Sequence, residues 1–563
     1  MDIEETIYKY ALTNAIEHGN KCQVGSVIGM VMSKNPEMRK DPKTVSQLAG
    51  KLVAKVNNLT PEEQQKEVES VGGLEQHTKK EEKPKGLPEL KNTEDKKVTL
   101  RFAPNPSGPL HIGHARAAIL NKLYQEKYNG KLILRIEDTD PKRVEPDAYD
   151  AIPQDIKWLG IEPDEIYTQS DRLEIYYEYA QKAIEIGAAY MCKCDGGEFK
   201  KLKDNCQPCP CRSHTIEENM ELWNNFENME EGEAVLRIKT DINHKNPAIR
   251  DWVAMRIVNQ EHPRLGNKYK IYPMMNFSVT VDDHLMGMTH VLRGKDHLAN
   301  SEKQTYLYKH FGWDVPEFIH YGRLKMDDVE LSTSKAREGI ENKTYTGWDD
   351  PRLGTIRAIA RRGIKKEVLY DLIEEIGTKQ ADATISWKKI YGLNRNIIEE
   401  NTNRYFFIPN AVKVDVENLP SSKTNMTVER ELHYNKPEKG FRNLTFNGSV
   451  YIPEDDYKHA QDKNIPLRLM DLINIKIEED KVIYDSETLE DAQAQHARII
   501  QWAPVETSIS ATVVMPDNTH VTGYIECDAS NLEVNDMVQL ERFGFARVDK
   551  INDNEITFYY THN

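Results

Sequence analysis

The segment Arg101-Phe102-Ala103-Pro104-Asn105-Pro106-Ser107-Gly108-Pro109-Leu110-His111-Ile112-Gly113-His114 constrains this chain more than any other. Residues 98–102 read as a short apolar strand and the proline and glycine run forces a sharp exit. Ala115, Ala118, Ile119, Lys122 and Leu123 then follow at the spacing of an amphipathic helix. A helix so placed aims its unpaired N–H groups and the positive end of its dipole at an anion above the turn. His111 and His114 flank Gly113 in the first helical turn. The missing side chain there lets a nucleotide approach the backbone, and each ring can donate to phosphate oxygens. The alternative, a helix start that carries two histidines by chance, is weakened by the strand–turn–helix context.

At 563 residues the chain exceeds what one hydrophobic core serves, so three or more domains are expected. No apolar run reaches the length of a membrane span, and the N-terminus is acidic where a secretory peptide is basic, so a cytoplasmic protein without a membrane partner is expected. The net charge of −16 disfavours nonspecific nucleic-acid binding without excluding a local basic patch. Arg361, Arg362, Lys365 and Lys366 are one candidate patch, a solvated helix face being the other reading.

Along the chain, Ile3, Ile7, Tyr10, Ala11 and Ile16 keep a helical period that Gly19 ends, and Val45, Leu48, Leu52, Val53 and Val56 keep another. The charged run 78–86, broken by Pro84 and Gly86, reads as a mobile linker. From residue 98 alternating strand and helix patterns indicate a parallel sheet covered by helices, with ligands beyond the carboxyl ends of the strands. Beyond about residue 400 short strands with turn signals, among them Pro516-Asp517-Asn518, indicate β-barrels.

The Pro/Ser/Gly loop with His-Ile-Gly-His resembles the ATP-binding element of class I aminoacyl-tRNA synthetases. The string Leu134-Arg135-Ile136-Glu137-Asp138-Thr139-Asp140 is similar to their glutamyl and glutaminyl branch. The strings beginning at Asp155, Tyr167, Val281 and Gly347 follow in that family's order, over roughly residues 98–362. The tail resembles the paired β-barrels of the archaeal type. The implied fold is multidomain α/β plus β. It comprises a helical appended domain (1–77), a charged linker (78–96), and a Rossmann-like catalytic domain in two halves (97–190 and 263–325) around a zinc-containing acceptor-stem-binding insertion (191–262). A mobile loop and helical stem-contact region (326–400) and β-barrel anticodon-binding domains (401–563) follow. Aromatics such as Phe543, Phe545 and Tyr560 beside Arg542 and Arg547 either stack anticodon bases or fill the barrel core.

The resemblance implies attack of L-glutamate on ATP with Mg2+, then transfer to the terminal ribose of tRNA(Glu), with tRNA(Gln) a further acceptor left open. By motif it places Pro104, Ser107, Gly108, His111, Gly113, His114, Ser332, Ser334 and Lys335 around ATP, with His111, His114 and Lys335 catalytic. The family's lysine loop is usually Lys-Met-Ser-Lys-Ser. Here Glu330-Leu331-Ser332-Thr333-Ser334-Lys335 puts a threonine at the second lysine, so Lys335 or Lys325 supplies the charge. Arg101 and Arg293 match the arginines that receive the substrate's side-chain carboxylate; glutaminyl members lack the second. Glu137 matches the group that receives the ammonium, unless it only pairs with Arg135. Tyr272 and Asn276 match the pocket wall, with Met275 where bacterial members carry tyrosine.

Of seven cysteines, five fall between Cys192 and Cys211, which favours a metal cluster in a reducing compartment. Cys192, Cys194, Cys209 and Cys211 suit one structural zinc, with Cys206 as a substitute ligand and His214 nearby. The expected protein is a monomeric ligase whose N-terminal domain is available to a protein partner. A glutaminyl enzyme, a small-molecule adenylyltransferase and a noncatalytic tRNA-binding scaffold are the rival readings, opposed respectively by Arg293, by the long β-rich tail, and by the intact His111 and His114.

Overall fold

The computed structural model describes residues 3–17, 20–35, 41–70, 86–94, 96–327, 329 and 331–563. These fall into two compact units that divide after residue 85. The first holds four helices, Ile3–Glu17, Val24–Lys34, Pro42–Asn57 and Pro61–Ser70. Ile7, Ala11, Val27, Val31, Leu52 and Val56 close its core, which places both expected apolar stripes on inner faces. Gly19 and residues 71–85 lie outside the described residues. Among those described, no helix is long and apolar enough to cross a membrane.

In the second unit the expected linker ends early. Pro88 O accepts from Tyr124 Oη at 3.0 Å, Leu90 N donates to Tyr128 Oη at 2.7 Å, and Leu90 is buried. The part of 78–96 after Gly86 is therefore docked on the helix Ile112–Lys127, because tyrosines and an apolar anchor outweigh the local charge. Parallel strands Thr99–Phe102, Lys131–Ile136 and Glu165–Thr168 form one sheet. The parallel pair His290–Gly294 and Glu317–Tyr321 adjoins it where Thr289 N donates to Thr99 O at 3.1 Å. The strand interiors Leu100, Leu132, Leu134 and Leu292 share a core with Ile112, Ala115 and Ile119 of the helix above them.

Between these halves lies an antiparallel sheet of Ala189–Cys192, Val235–Ile238, Val253–Ile257 and Ile271–Pro273. Its last strand lies beyond residue 262, where sequence put the end of the insertion. The helices Ile356–Arg361, Lys366–Ile376 and Trp387–Ile398 lead on to the tail.

The tail is two seven-stranded barrel-like sheets. The chain enters the distal sheet at Asn403–Tyr405 and Phe407–Pro409 and crosses to the other at Ala411–Glu417. It returns at Ile509–Val514, and Asn518 at φ 68° turns the hairpin into His520–Ile525. Phe545 is buried, Arg547 donates to Arg361 O at 2.7 Å, and Arg542 donates to Ile499 O at 2.9 Å. Phe545 and Arg547 thus hold the barrels in place, while Arg542 is exposed and Phe543 and Tyr560 are half-buried. In the 361–366 cluster the two arginines are engaged within the protein, while Lys365 and Lys366 are half-buried. Arg361 pairs with Asp349 and Asp549, both at 2.9 Å, and Arg362 is buried against Trp387 with its guanidinium on Tyr391 Oη.

Candidate active site

At the carboxyl ends of the parallel strands opens a cavity of about 900 Å³, lined by Arg101, Ser107, His114, Glu137, Arg293 and Arg337 among others. The loop that feeds it is held by Pro104 O, which accepts from Glu137 N at 2.9 Å. His111 is the N-cap of the helix Ile112–Lys127. Its Nδ1 accepts from Gly113 N at 3.0 Å, and His114 Nδ1 accepts from His111 N at 3.3 Å. Two orphan N–H groups of the helix start are thus satisfied by rings, which leaves each proton on Nε2 as an outward donor. A Cβ on Gly113 would lie 2.8 Å from His111 Cε1. The space beside Gly113 is therefore filled by the folded-back ring, not kept for nucleotide.

Burial pushes His111 down to about 4. It pushes His114, which also faces His111, down to about 3. Both are neutral at physiological pH and offer dipolar N–H donors, not cations. Below the ordinary histidine value of about 6.5 the unfolded chain takes up protons that these rings refuse, so stability falls as pH falls. The drop in Tm from pH 7.5 to 5.5 is expected to be smaller in a His111→Asn/His114→Asn variant than in the parent. Equal drops by differential scanning calorimetry would contradict the burial argument.

Toward the other end of the cavity, buried charges form a network. Arg135 contacts Asp283 at 2.7 Å and Glu137 Oε1 at 2.9 Å, Arg101 contacts Asp283 at 3.4 Å, and Arg172 contacts Asp282 at 2.8 Å. Burial raises the Glu137 carboxyl, against the pull of Arg135 and Arg101. Both Arg135 contacts to Glu137 fall on Oε1, so pairing with Arg135 still leaves Oε2 to a ligand.

Arg293 differs from the other arginines. It is 8% exposed, its NH1 donates to Gln304 Oε1 at 3.0 Å and Ser301 Oγ at 3.4 Å, and its Nε has no partner. Among the described residues no carboxylate lies within ion-pair distance of it, and burial beside Arg101 lowers its pKa to about 10. Four guanidinium groups, of Arg101, Arg135, Arg172 and Arg293, thus share three carboxylates, of Glu137, Asp282 and Asp283.

Of the residues expected around ATP, Pro104, Ser107, His114 and Ser334 line the cavity; Gly108, His111, Gly113, Ser332 and Lys335 stand behind or beside it. Ser332 caps the helix Thr333–Glu341, Lys335 is exposed in its first turn, and Glu330 lies outside the described residues. Lys325 is exposed in the strand Leu324–Met326 and lines no part of the cavity. Gly108, at φ 145°, lets the second loop close over the first. A Cβ there would meet Thr333 Cγ2 at 2.7 Å. Arg337 ties the two loops, with Ser107 O at 2.5 Å and Glu145 Oε1 at 2.8 Å. It escaped the sequence reading. A cation near a helix N-terminus, where the dipole disfavours it, is the signal that it has partners elsewhere.

Tyr272 and Asn276 do not line the cavity. Tyr272 is buried against His262, and Asn276 accepts from Gln304 Nε2 at 3.2 Å. Pro273, Met274 and Met275 form that wall instead.

In the insertion, Cys192, Cys194, Cys209 and Cys211 bring their sulfurs within 4.8 Å of one another. Cys192 to Cys209 is 3.9 Å and Cys194 to Cys211 3.7 Å. Cys206, at φ 57°, and His214 fall outside this group. Four thiols so converged, with no disulfide, are the donor set a tetrahedral soft metal takes.

Comparison with known proteins agrees with this geometry. The model of tRNA synthetases class I (E and Q), catalytic domain, matches residues 97–400. Two anti-codon binding domain models of the same family match 402–495 and 499–549. The chain is 58% identical over 561 residues to the glutamate–tRNA ligase of Methanobrevibacter smithii, covering 100% of both. It is 56% identical over 562 residues to that of Methanothermobacter marburgensis and 49% over 564 to that of Methanocaldococcus jannaschii, again over 100% of each chain.

Proposed function

This chain belongs to the class I tRNA synthetases for glutamate and glutamine and ligates glutamate to tRNA at the expense of ATP, and from that premise we propose which residues carry the reaction. Glutamate's α-carboxylate attacks the α-phosphorus of ATP and pyrophosphate leaves with its electron pair. Little covalent help is needed, because positioning and charge stabilisation carry such a step. The Nε2–H of His114, backed by His111 and the helix start beneath them, would donate to the phosphates, and magnesium bound with ATP would supply further charge neutralisation there. The terminal ribose hydroxyl of tRNA then attacks the acyl carbon, and AMP leaves.

One observation carries the choice of amino acid: among the described residues, the buried guanidinium of Arg293 has no carboxylate within ion-pair distance. Glutamate, with one net negative charge, completes the set of four guanidiniums and three carboxylates; its side-chain carboxylate goes to Arg293 and Arg101 and its ammonium to Glu137. Glutamine would leave Arg293 unpaired, at a cost of several kcal/mol. Aminoacylation of purified tRNA(Glu) and tRNA(Gln) with labelled glutamate and glutamine tests this. Glutamate is expected on tRNA(Glu), the same assay reads whether tRNA(Gln) also accepts it, and charging by glutamine would defeat the assignment.

The four cysteines would hold zinc, which supplies a cross-link where Tyr190, Cys192, Phe199 and Cys209 form only a small core. Cys194→Ser and Cys209→Ser are each expected to lose bound metal and lower the insertion's melting temperature. Elemental analysis that finds no zinc in the parent protein would remove the site.

A further inference from the structure

We propose that Gln304 sets the preference for glutamate over glutamine by holding Arg293 with a neutral amide, so that the guanidinium meets its first direct ion-pair partner in the substrate. The proposal rests on the role given to Arg293 above. Gln304 sits inside the helix Leu298–Phe311, wholly buried, and does not line the cavity. Its Oε1 accepts from Arg293 NH1 at 3.0 Å and its Nε2 donates to Asn276 Oδ1 at 3.2 Å. Asn276 Nδ2 in turn donates to Asn300 Oδ1 at 3.1 Å, and Asn300 Nδ2 lies 3.0 Å from His297 Nδ1. The Gln304 and Asn276 nitrogens each donate to the next amide oxygen, and a guanidinium can only donate, so the Gln304 oxygen is the end that must face Arg293.

The other hydrogen-bond acceptor of Arg293 is also uncharged, and the nearby carboxylates of Asp283 and Glu137 lie beyond ion-pair distance of it. Ser301 Oγ, the second acceptor, bonds His320 Nε2 at 2.9 Å, and burial with the adjacent Arg293 charge keeps that imidazole below its ordinary pKa. Asp283 is engaged by Arg101 and Arg135. A glutamate at position 304 has the same size and would reach the same NH1 with a full charge. Arg293 would then be paired within the protein, and an incoming carboxylate would meet a like charge across it. Asn276 acts in this scheme as a positioning residue separated from substrate by Gln304 and Arg293, which accounts for its absence from the cavity wall.

The test is pyrophosphate exchange in the presence of tRNA, with glutamate and with glutamine, for Q304E, Q304L and Arg293→Ala. Q304E is expected to raise KM for glutamate about thirtyfold with little change in kcat and to leave glutamine unaffected or improved. Q304L keeps the volume and removes the hydrogen bond without adding charge; it is expected to raise KM for glutamate about fivefold and retain the preference. If Q304E keeps the parent's preference, or Q304L matches it with both amino acids, Gln304 contributes packing alone and the proposal falls. If Q304E does not fold, Q304L decides: a parental KM for glutamate refutes the hold on Arg293. Full glutamate activity in Arg293→Ala would instead overturn the role of Arg293 itself, an outcome distinct from a silent Gln304.

Discussion

Arg293→Ala is expected to lower kcat/KM for glutamate by about three orders of magnitude while glutamine stays within about tenfold of its starting value. Two effects add for glutamate: its carboxylate loses a charge-assisted partner, and it enters a site too dry to solvate it. Stranding a buried charge in this way costs about 3–5 kcal/mol. The neutral amide suffers neither effect. Arg101 remains, but it is already engaged by Asp283 at 3.4 Å and Leu292 O at 3.5 Å. Steady-state activation with both amino acids checks the claim; intact glutamate activation would move the specificity contact to Arg101.

His114→Ala is expected to slow glutamate activation by about a hundredfold or more, with tRNA binding retained. The ring lines the cavity and spends Nδ1 on His111 N, so its Nε2–H is the group that can follow charge onto the phosphates. Because it is neutral, its contribution is a preorganised dipole in a site of restricted solvent. The substitution also removes a cap from the helix start, which costs about 1 kcal/mol of stability. That cost appears in Tm and not in the rate per folded enzyme. An unchanged single-turnover rate of adenylate formation would exclude His114 from the chemistry.

Local chemistry was legible in the sequence, and long-range orientation was not. The strand, turn and paired histidines are consecutive, so their physics can be read from a dozen residues; the same holds for two Cys-x-Cys pairs that need only a short loop to converge. Asn276 was misplaced as a wall residue because helical periodicity does not say which buried face meets ligand and which meets another helix. Gln304 resembles any mid-helix glutamine until Arg293, eleven positions away, is seen donating to it. Arg337 depends on Ser107, 230 positions away. Charge runs misled for a related reason. Arg361 and Arg362 read as a solvated or tRNA-facing cluster, yet Asp549 and Tyr391 supply partners that no local window contains. Gly113 was read as leaving room for a nucleotide's approach, whereas the His111 ring fills the space beside it.

The most direct measurement is the affinity of the protein for stable acyl-sulfamoyl analogues of the two adenylates, glutamyl and glutaminyl, by isothermal titration calorimetry in the parent and in Arg293→Ala. The two analogues differ only in the side-chain group that meets the buried guanidinium. The account predicts that the parent binds the glutamyl analogue at least about a hundredfold more tightly and that the gap closes in the variant. Equal affinities in the parent, or a gap that survives removal of Arg293, would contradict it.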